Sequence, residues 1–179
     1  MKKGILVVGI VCLMLVLLVC GCTQQEESGT GGGTTGNTVT MTAKEHYDDM
    51  SMDTDWSTYI TILYDSLEDG DTLIIQDSVT NISYDSNTDA TTVTFEWTEG
   101  EMTGSLNPVF EGDITGSYQT GDEVKITVTI KHVTFSHEGM SYDMELYEEQ
   151  WESQDYFISN AGSALGGLKP LPQSCIAKA

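Results

Sequence analysis

The chain has 179 residues, of which 28 are acidic and seven basic, with no arginine and a formal net charge of −21. This balance excludes nucleic acid as a partner, because binding phosphates needs cationic groups that displace condensed counterions, and it favours a solvated surface that draws divalent cations. Three of the four cysteines fall within the first 22 residues, so Cys175 has no partner for a disulfide inside the folded part and the core must stabilise itself.

The first segment to read is Lys2-Lys3, the apolar run Gly4 to Val19, and then Cys20-Gly21-Cys22. The run is about 16 residues, shorter than the roughly 20 of a membrane-spanning helix and suited to the core of a signal segment. Positive charge, apolar core and a small residue before a cysteine together resemble a prokaryotic lipoprotein signal. The resemblance implies that residues 1–21 are the signal and that Cys22 carries the lipid. Gly21 before Cys22 fits cleavage better than the bulkier Val19 before Cys20; Cys20 itself departs from the family pattern. The alternative is an uncleaved N-terminal helix that anchors by burial. In either case the expected location is the cell membrane, with the rest of the chain facing the outside or the periplasm and the membrane as its partner through the anchor. One acyl chain holds a protein only marginally, so stable retention implies two.

Residues 22–38 form the next expected unit, a tether. From Thr23 to Thr38 the sequence is dominated by Gly, Thr, Gln and Ser and has no aliphatic or aromatic residue, so it has nothing with which to build a core. A Gly-rich coil of about 16 residues spans roughly 20 to 24 Å. Beyond it, residues 39–160 are long enough for one domain and too short for two substantial cores.

Thr42-Ala43-Lys44-Glu45 has the spacing of a capping box and predicts a short helix to about Met50. The following segment carries two patterns. Trp56, Tyr59, Ile60, Leu63 and Leu67 fit helical spacing, whereas Thr58, Ile60, Ile62 and Tyr64 alternate and are β-branched or aromatic, which makes a strand the expectation. Met41, Met50 and Met52 are read as adaptable core filler. After the turn Glu68 to Asp71, Leu73, Ile75 and Val79 share one phase while Ile82 and Tyr84 take the other, so the run Thr72 to Tyr84 should bend and serve two parts of a sheet. Val93, Phe95 and Trp97 alternate with Thr92, Thr94 and Glu96 as a half-buried strand.

A short strand is expected over 108–115, with Phe110 and Ile114 inward. The strongest alternation follows: Val124, Ile126, Val128 and Ile130 face one way, and the phase slips near Lys131-His132 so that Val133 and Phe135 continue the burial. A tight turn at Ser136 to Gly139 leads to a partner strand with Met140, Tyr142, Met144 and Leu146. A short helix is expected within 148–160 and a disordered tail over 161–179.

Five strands, two of them long and kinked, make an all-β fold and suggest a small barrel with a short flanking helix, since closure removes exposed edges. Gly70-Asp71-Thr72-Leu73-Ile74-Ile75, Phe110-Glu111-Gly112-Asp113 and Gly121 to Val128 resemble the OB-fold, specifically the acidic extracytoplasmic OB-like domains of prokaryotic lipoproteins. The segment Gly116 to Thr120 is too short for the helix that such folds place between the third and fourth strands, which keeps a β-sandwich as the alternative. OB barrels bind along one open face, so the resemblance implies a binding module for a small ligand or an envelope protein, with Tyr84, Trp97, Tyr118 and Tyr147 as the contact aromatics. A passive acidic envelope component and a carboxylate-dependent or metal-binding protein are the alternative functions.

For chemistry, Asp85, Asn87 and Asp89 with Glu96 have calcium-loop spacing, although Ala90 stands where the tight turn favours glycine and Glu96 lies in an alternating run. A calcium site and a plain hairpin turn both fit. His46, His132 and His137 are expected to be solvated, with a transition-metal site at His132, His137 and Glu138 as the other reading. Asn81-Ile82-Ser83 is a glycosylation sequon in an exported chain. No nucleophile stands at recognisable spacing from a base, so the expectation is not an enzyme and no cofactor apart from the calcium alternative.

Overall fold

The alternation from Val124 to Ile130 becomes half of the organising strand of the fold, β9 (Glu123–His137). In the computed structural model the described residues are 36–55, 57–162 and 166–179. The signal segment, Cys22 and the tether up to residue 35 lie outside them, as do Trp56 and residues 163–165.

The fold is mostly β, as the alternation predicts. β1 (Thr38–Met41) leads into helix α1 (Ala43–Asp49), followed by β2 (Met50–Asp55) and β3 (Tyr59–Tyr64), so the ambiguous segment is a strand. β4 (Thr72–Ser78) and β5 (Asn81–Asp85) come from one run of sequence, then β6 (Ala90–Glu99), β7 (Met102–Leu106) and β8 (Val109–Glu111). β9 pairs with β10 (Met140–Tyr147), and a 3₁₀ turn (Glu148–Gln150), helix α2 (Gln154–Asn160), a second 3₁₀ turn (Gln173–Cys175) and β11 (Ile176–Lys178) complete the chain.

These strands form two sheets. The first has the order β1-β4-β9-β10-β3-β2, with β11 also on β9, and it curls into a half-barrel. The second has the order β5-β6-β7, with β8 also on β6. The five expected strands are therefore present as β4 with β5, β6, β8, β9 and β10, but eleven strands occur among the described residues. Those five and β3 were legible from their alternation; β1, β2, β7 and β11 are short or polar, β1 and β11 pairing with the distant β4 and β9 and β2 and β7 with their neighbours β3 and β6.

The phase change in the run 72–84 has a structural counterpart. Val79 is 1% exposed, its amide donates to the Asp122 carbonyl and its carbonyl accepts from Gly121. The chain leaves the first sheet there and enters the second, so Leu73 and Ile75 on one side and Ile82 on the other reach the same core. That main core takes Leu73, Ile75, Val124, Ile126, Val128 and Ile130 from the first sheet and Val93, Phe95 and Phe110 from the second. Thr91, wholly buried between them, donates from Oγ1 to the Gly112 carbonyl (2.6 Å) and accepts from the Ile114 amide (3.2 Å), so its hydroxyl is satisfied.

The slip at Lys131-His132 is a change of face without a bulge. β9 and β10 pair in continuous register from Ile130↔Tyr147 to His137↔Met140. Successive residues on a strand point to opposite faces, so Val133 lies on the opposite side from Ile130. A second, smaller cluster forms there from Val133, Met144 and Leu146, covered by Phe135, Tyr142, Trp151, Phe157, Leu168 and Ile62. The turn between β9 and β10 has Glu138 and Gly139 both at positive φ (50° and 88°), the two-residue geometry that matches strand twist.

The expected disordered tail differs from the structure. The described residues from 166 to 179 belong to the same compact unit as the strands; Leu171 is 0% and Ile176 5% exposed, and β11 pairs antiparallel with β9 through Ile176↔Ile126. Single apolar residues separated by Pro and Gly carry no periodicity, so their burial depends on the surface that receives them. The methionines also divide. Met41 packs on the main core, whereas Met50 and Met52 are exposed on β2, the edge strand of the first sheet.

Candidate functional site

Where the two clusters meet, the fold leaves a cavity of about 270 Å³. Tyr64, Leu106 and Tyr147, which pack on the main core, line it together with Ile62, Met144, Leu146, Phe157 and Leu168 from the second cluster. Its polar lining residues are His46, Glu145 and Gln150, with the two tyrosines beside them. A mostly apolar concavity with few converging polar groups has the general character of a small-molecule site.

The sequence folds locally to bring His46 here. Thr42 caps α1: its Oγ1 accepts from the Glu45 amide (3.2 Å), and Glu45 Oε2 accepts from the Thr42 amide (2.8 Å), the reciprocal capping box that the spacing predicts. Ala43, fully buried in the main core, pins the first turn, and its amide donates to Asp77 Oδ2. One turn later His46 comes beneath the sheet at 3% exposure. It is not solvated, contrary to the expectation from sequence. The missed signal is the i, i+3 spacing of Ala43 and His46, which puts the histidine on the buried face of the helix.

His46 Nε2 and the Tyr147 hydroxyl are 2.6 Å apart, and the Tyr64 ring lies 4.9 Å from the imidazole, centroid to centroid. Burial lowers the His46 pKa to about 4, opposed by the nearby Asp49 carboxylate, so the ring is neutral at pH 7. Burial raises Tyr64 to about 12, with the Glu145 charge adding to it, and raises Tyr147 well above the ordinary phenol range, reinforced by Tyr64. Glu145 Oε2 accepts from the Tyr64 amide at 2.7 Å. His46 Nδ1 is buried and has no hydrogen-bond partner among the described residues.

The four aromatics expected to carry binding do not share one exposed face. Tyr84 is exposed and donates to Asp89 Oδ1. Trp97 is partly buried on the main core and lies over Gly104, where a Cβ would come within 2.6 Å of its ring, so any side chain there would displace it. Tyr118 donates to the Ile176 carbonyl and holds β11 in place. Only Tyr147 of the four lines the His46 cavity.

Of the calcium-spaced residues, Asp85 Oδ1 accepts from the Asn87 amide and its side chain (2.9 Å each) as a turn, and Asp89 has a positive φ of 49°. Glu96 is six residues beyond Ala90 along β6, roughly 20 Å at strand rise, so the structure does not bring it to that turn. Among the described residues no group of three or more His, Cys, Asp and Glu side chains is placed to hold a metal ion. His132 pairs with Asp143 at 2.6 Å and His137 with Glu138 at 3.9 Å. Five residues apart on β9, these two histidines point to opposite faces. Asn81 of the sequon is exposed at the start of β5.

Among the described residues no helix is long and apolar enough to cross a membrane. No family model matches the chain, and no curated protein matches it in sequence.

Proposed function

We propose that the protein is a lipid-anchored extracytoplasmic binding module, attached to the membrane through Cys22 and holding a small ligand in the cavity beneath α1. The location rests on the lipoprotein-like pattern of residues 1–22. The observation that carries the binding reading is the apolar cavity with the His46–Tyr147 pair in its wall. We read this as binding without catalysis. General acid–base work favours a pKa near the operating pH, whereas His46 lies near 4 and Tyr64 near 12, so neither exchanges protons readily at neutrality. The OB-like reading is supported by β4 and β5, one run serving two sheets, and by the change of face within β9. The main core shared by two separate sheets favours the β-sandwich alternative.

Mass spectrometry of the protein isolated from membranes tests the anchoring. A mature chain beginning at a diacylated or otherwise lipid-modified Cys22 is the expected result; an N-terminus that retains Met1-Lys2-Lys3 refutes the processed-lipoprotein reading. Crosslinking in intact cells separates a small-ligand module from one that docks on an envelope protein, since only the second yields an enriched protein adduct.

A further inference from the structure

We propose that Asn81 carries an N-linked glycan at the open edge of the second sheet. Of the five asparagines, Asn37, Asn81, Asn87, Asn107 and Asn160, only Asn81 has a hydroxyl residue two positions on; Val39, Asp89, Val109 and Gly162 stand there after the others. Asn-X-Ser is an acceptor sequence where X is not proline and the site lies on the surface of an exported chain. Export rests on the anchoring reading above, and the structure supplies the surface. β5 pairs with β6 alone, at the end of the order β5-β6-β7. Asn81 and Ser83 are both exposed, whereas Ile82 between them packs on the main core. Alternation puts the amide and the hydroxyl on the same side of the strand, so a bulky group there displaces nothing from the core.

The Asn81 amide is also uncommitted. The side-chain nitrogens of Asn87, Asn107 and Asn160 donate to Asp85, Ser105 and Tyr156, and Asn81 makes no such bond among the described residues. In the transfer, Asn81 Nδ2 forms a bond to C1 of a sugar. The C1–O bond to a polyprenyl phosphate breaks with its electron pair on the phosphate oxygen, and the amide gives up one proton. The co-reactant is thus a lipid-linked sugar of the membrane that holds the anchor. A hydrated glycan on an edge strand hinders pairing with a second chain, and no β5 residue lines the His46 cavity, so the modification leaves that site untouched.

The test is peptide mass spectrometry of the full protein isolated from the membranes of its own cells. The expected result is a sugar mass on the peptide containing Asn81 and none on those containing Asn87, Asn107 and Asn160. Asn81→Gln and Ser83→Ala should each remove that mass completely, and Ser83→Thr should retain it, with unchanged circular dichroism as the check on folding. A bare Asn81, or a glycan that persists in Ser83→Ala, overturns the proposal. The same spectra report the N-terminus, so a lipid-modified Cys22 together with a bare Asn81 sinks this proposal and leaves the anchoring reading standing.

Discussion

The two halves of β9 bury opposite faces of one strand, and they do so with different completeness. Val124, Ile126, Val128 and Ile130 are at most 1% exposed, because the second sheet supplies Val93, Phe95 and Phe110 as a facing layer. Val133 is 8% exposed, and Phe135 is only partly buried, stacked on Tyr142 at 4.5 Å and edge-on to Phe157 at 5.7 Å. The cover there is mainly one seven-residue helix and the segment around Leu168. Alternation sets which side chains share a face, but the facing layer decides how closely they pack. A partial layer leaves the cavity that the first half of the strand lacks.

The largest test of this contrast is removal of residues 166–179. It strips Leu171 and Ile176 from the main core and leaves Val124 and Ile126 without the β11 edge. Two fully buried aliphatic side chains contribute about 3 to 6 kcal/mol, comparable with the whole stability of many domains. The truncated protein should therefore be unfolded or nearly so by circular dichroism. A cooperative thermal transition within a few degrees of the intact protein would show that the tail is dispensable to the core.

A matched pair of substitutions sharpens the comparison. Ile126→Ala in the closely packed half should cost about 2 to 5 kcal/mol, since the site cannot collapse around the missing atoms. Met144→Ala in the other half should cost about half as much. Met144 borders the cavity, and a side chain with a void beside it has fewer contacts to lose. Urea midpoints measured on both variants check this; equal losses would mean that the second cluster is packed as tightly as the first.

The strands of both halves were legible in sequence; their long-range pairing and the cavity were not. The strict phase of Val124 to Ile130, the capping box at Thr42 and the slip at Lys131-His132 are local signals that survive into the structure. β1 and β3 pair in parallel with β4 and β10, and parallel partners lie far apart along the chain, so no local pattern marks them. The site was hidden for the same reason. The spacing of Ala43 and His46 is local, but the burial of His46 depends on Tyr147, 101 residues later. A lone histidine on a polar helix reads as solvated until that partner is in place. Tyr147 was named as a binding aromatic, but for an exposed contact rather than for a place in a cavity wall.

The buried histidine makes the stability of the cavity region depend on pH. His46 has a folded pKa of about 4 against an unfolded value near 6.5. Between those values the unfolded chain binds a proton that the folded chain does not, so stability is fully present above pH 6.5 and falls as the pH drops towards 4. The facing groups, Asp49, Glu145, Tyr64 and Tyr147, include two carboxylates; Asp49 already opposes the shift. The expected loss is about 3 kcal/mol at most. It should vanish in His46→Phe, as read from urea midpoints at pH 7 and pH 4.5. An identical pH dependence in the variant would place the sensitivity elsewhere.

The smallest expected effect tests whether α1 links the two halves. Ala43 at its start belongs to the main core, and His46 one turn later belongs to the cavity, so the cap at Thr42 holds both in register. Thr42→Ala removes the oxygen that accepts from the Glu45 amide and leaves Glu45 without its hydroxyl partner. A lost cap costs about 1 kcal/mol, which alone would only lower the midpoint of unfolding slightly. If α1 is held by the core alone, amide exchange should quicken by the same factor throughout the domain. If the cavity region opens separately, as sparse packing implies, exchange at His46 and Tyr47 should quicken about fivefold while Ile126 and Val128 keep their protection. The second pattern is the expected one, because the helix has only seven residues and beyond Ala43 its inward face meets a void as well as packed atoms.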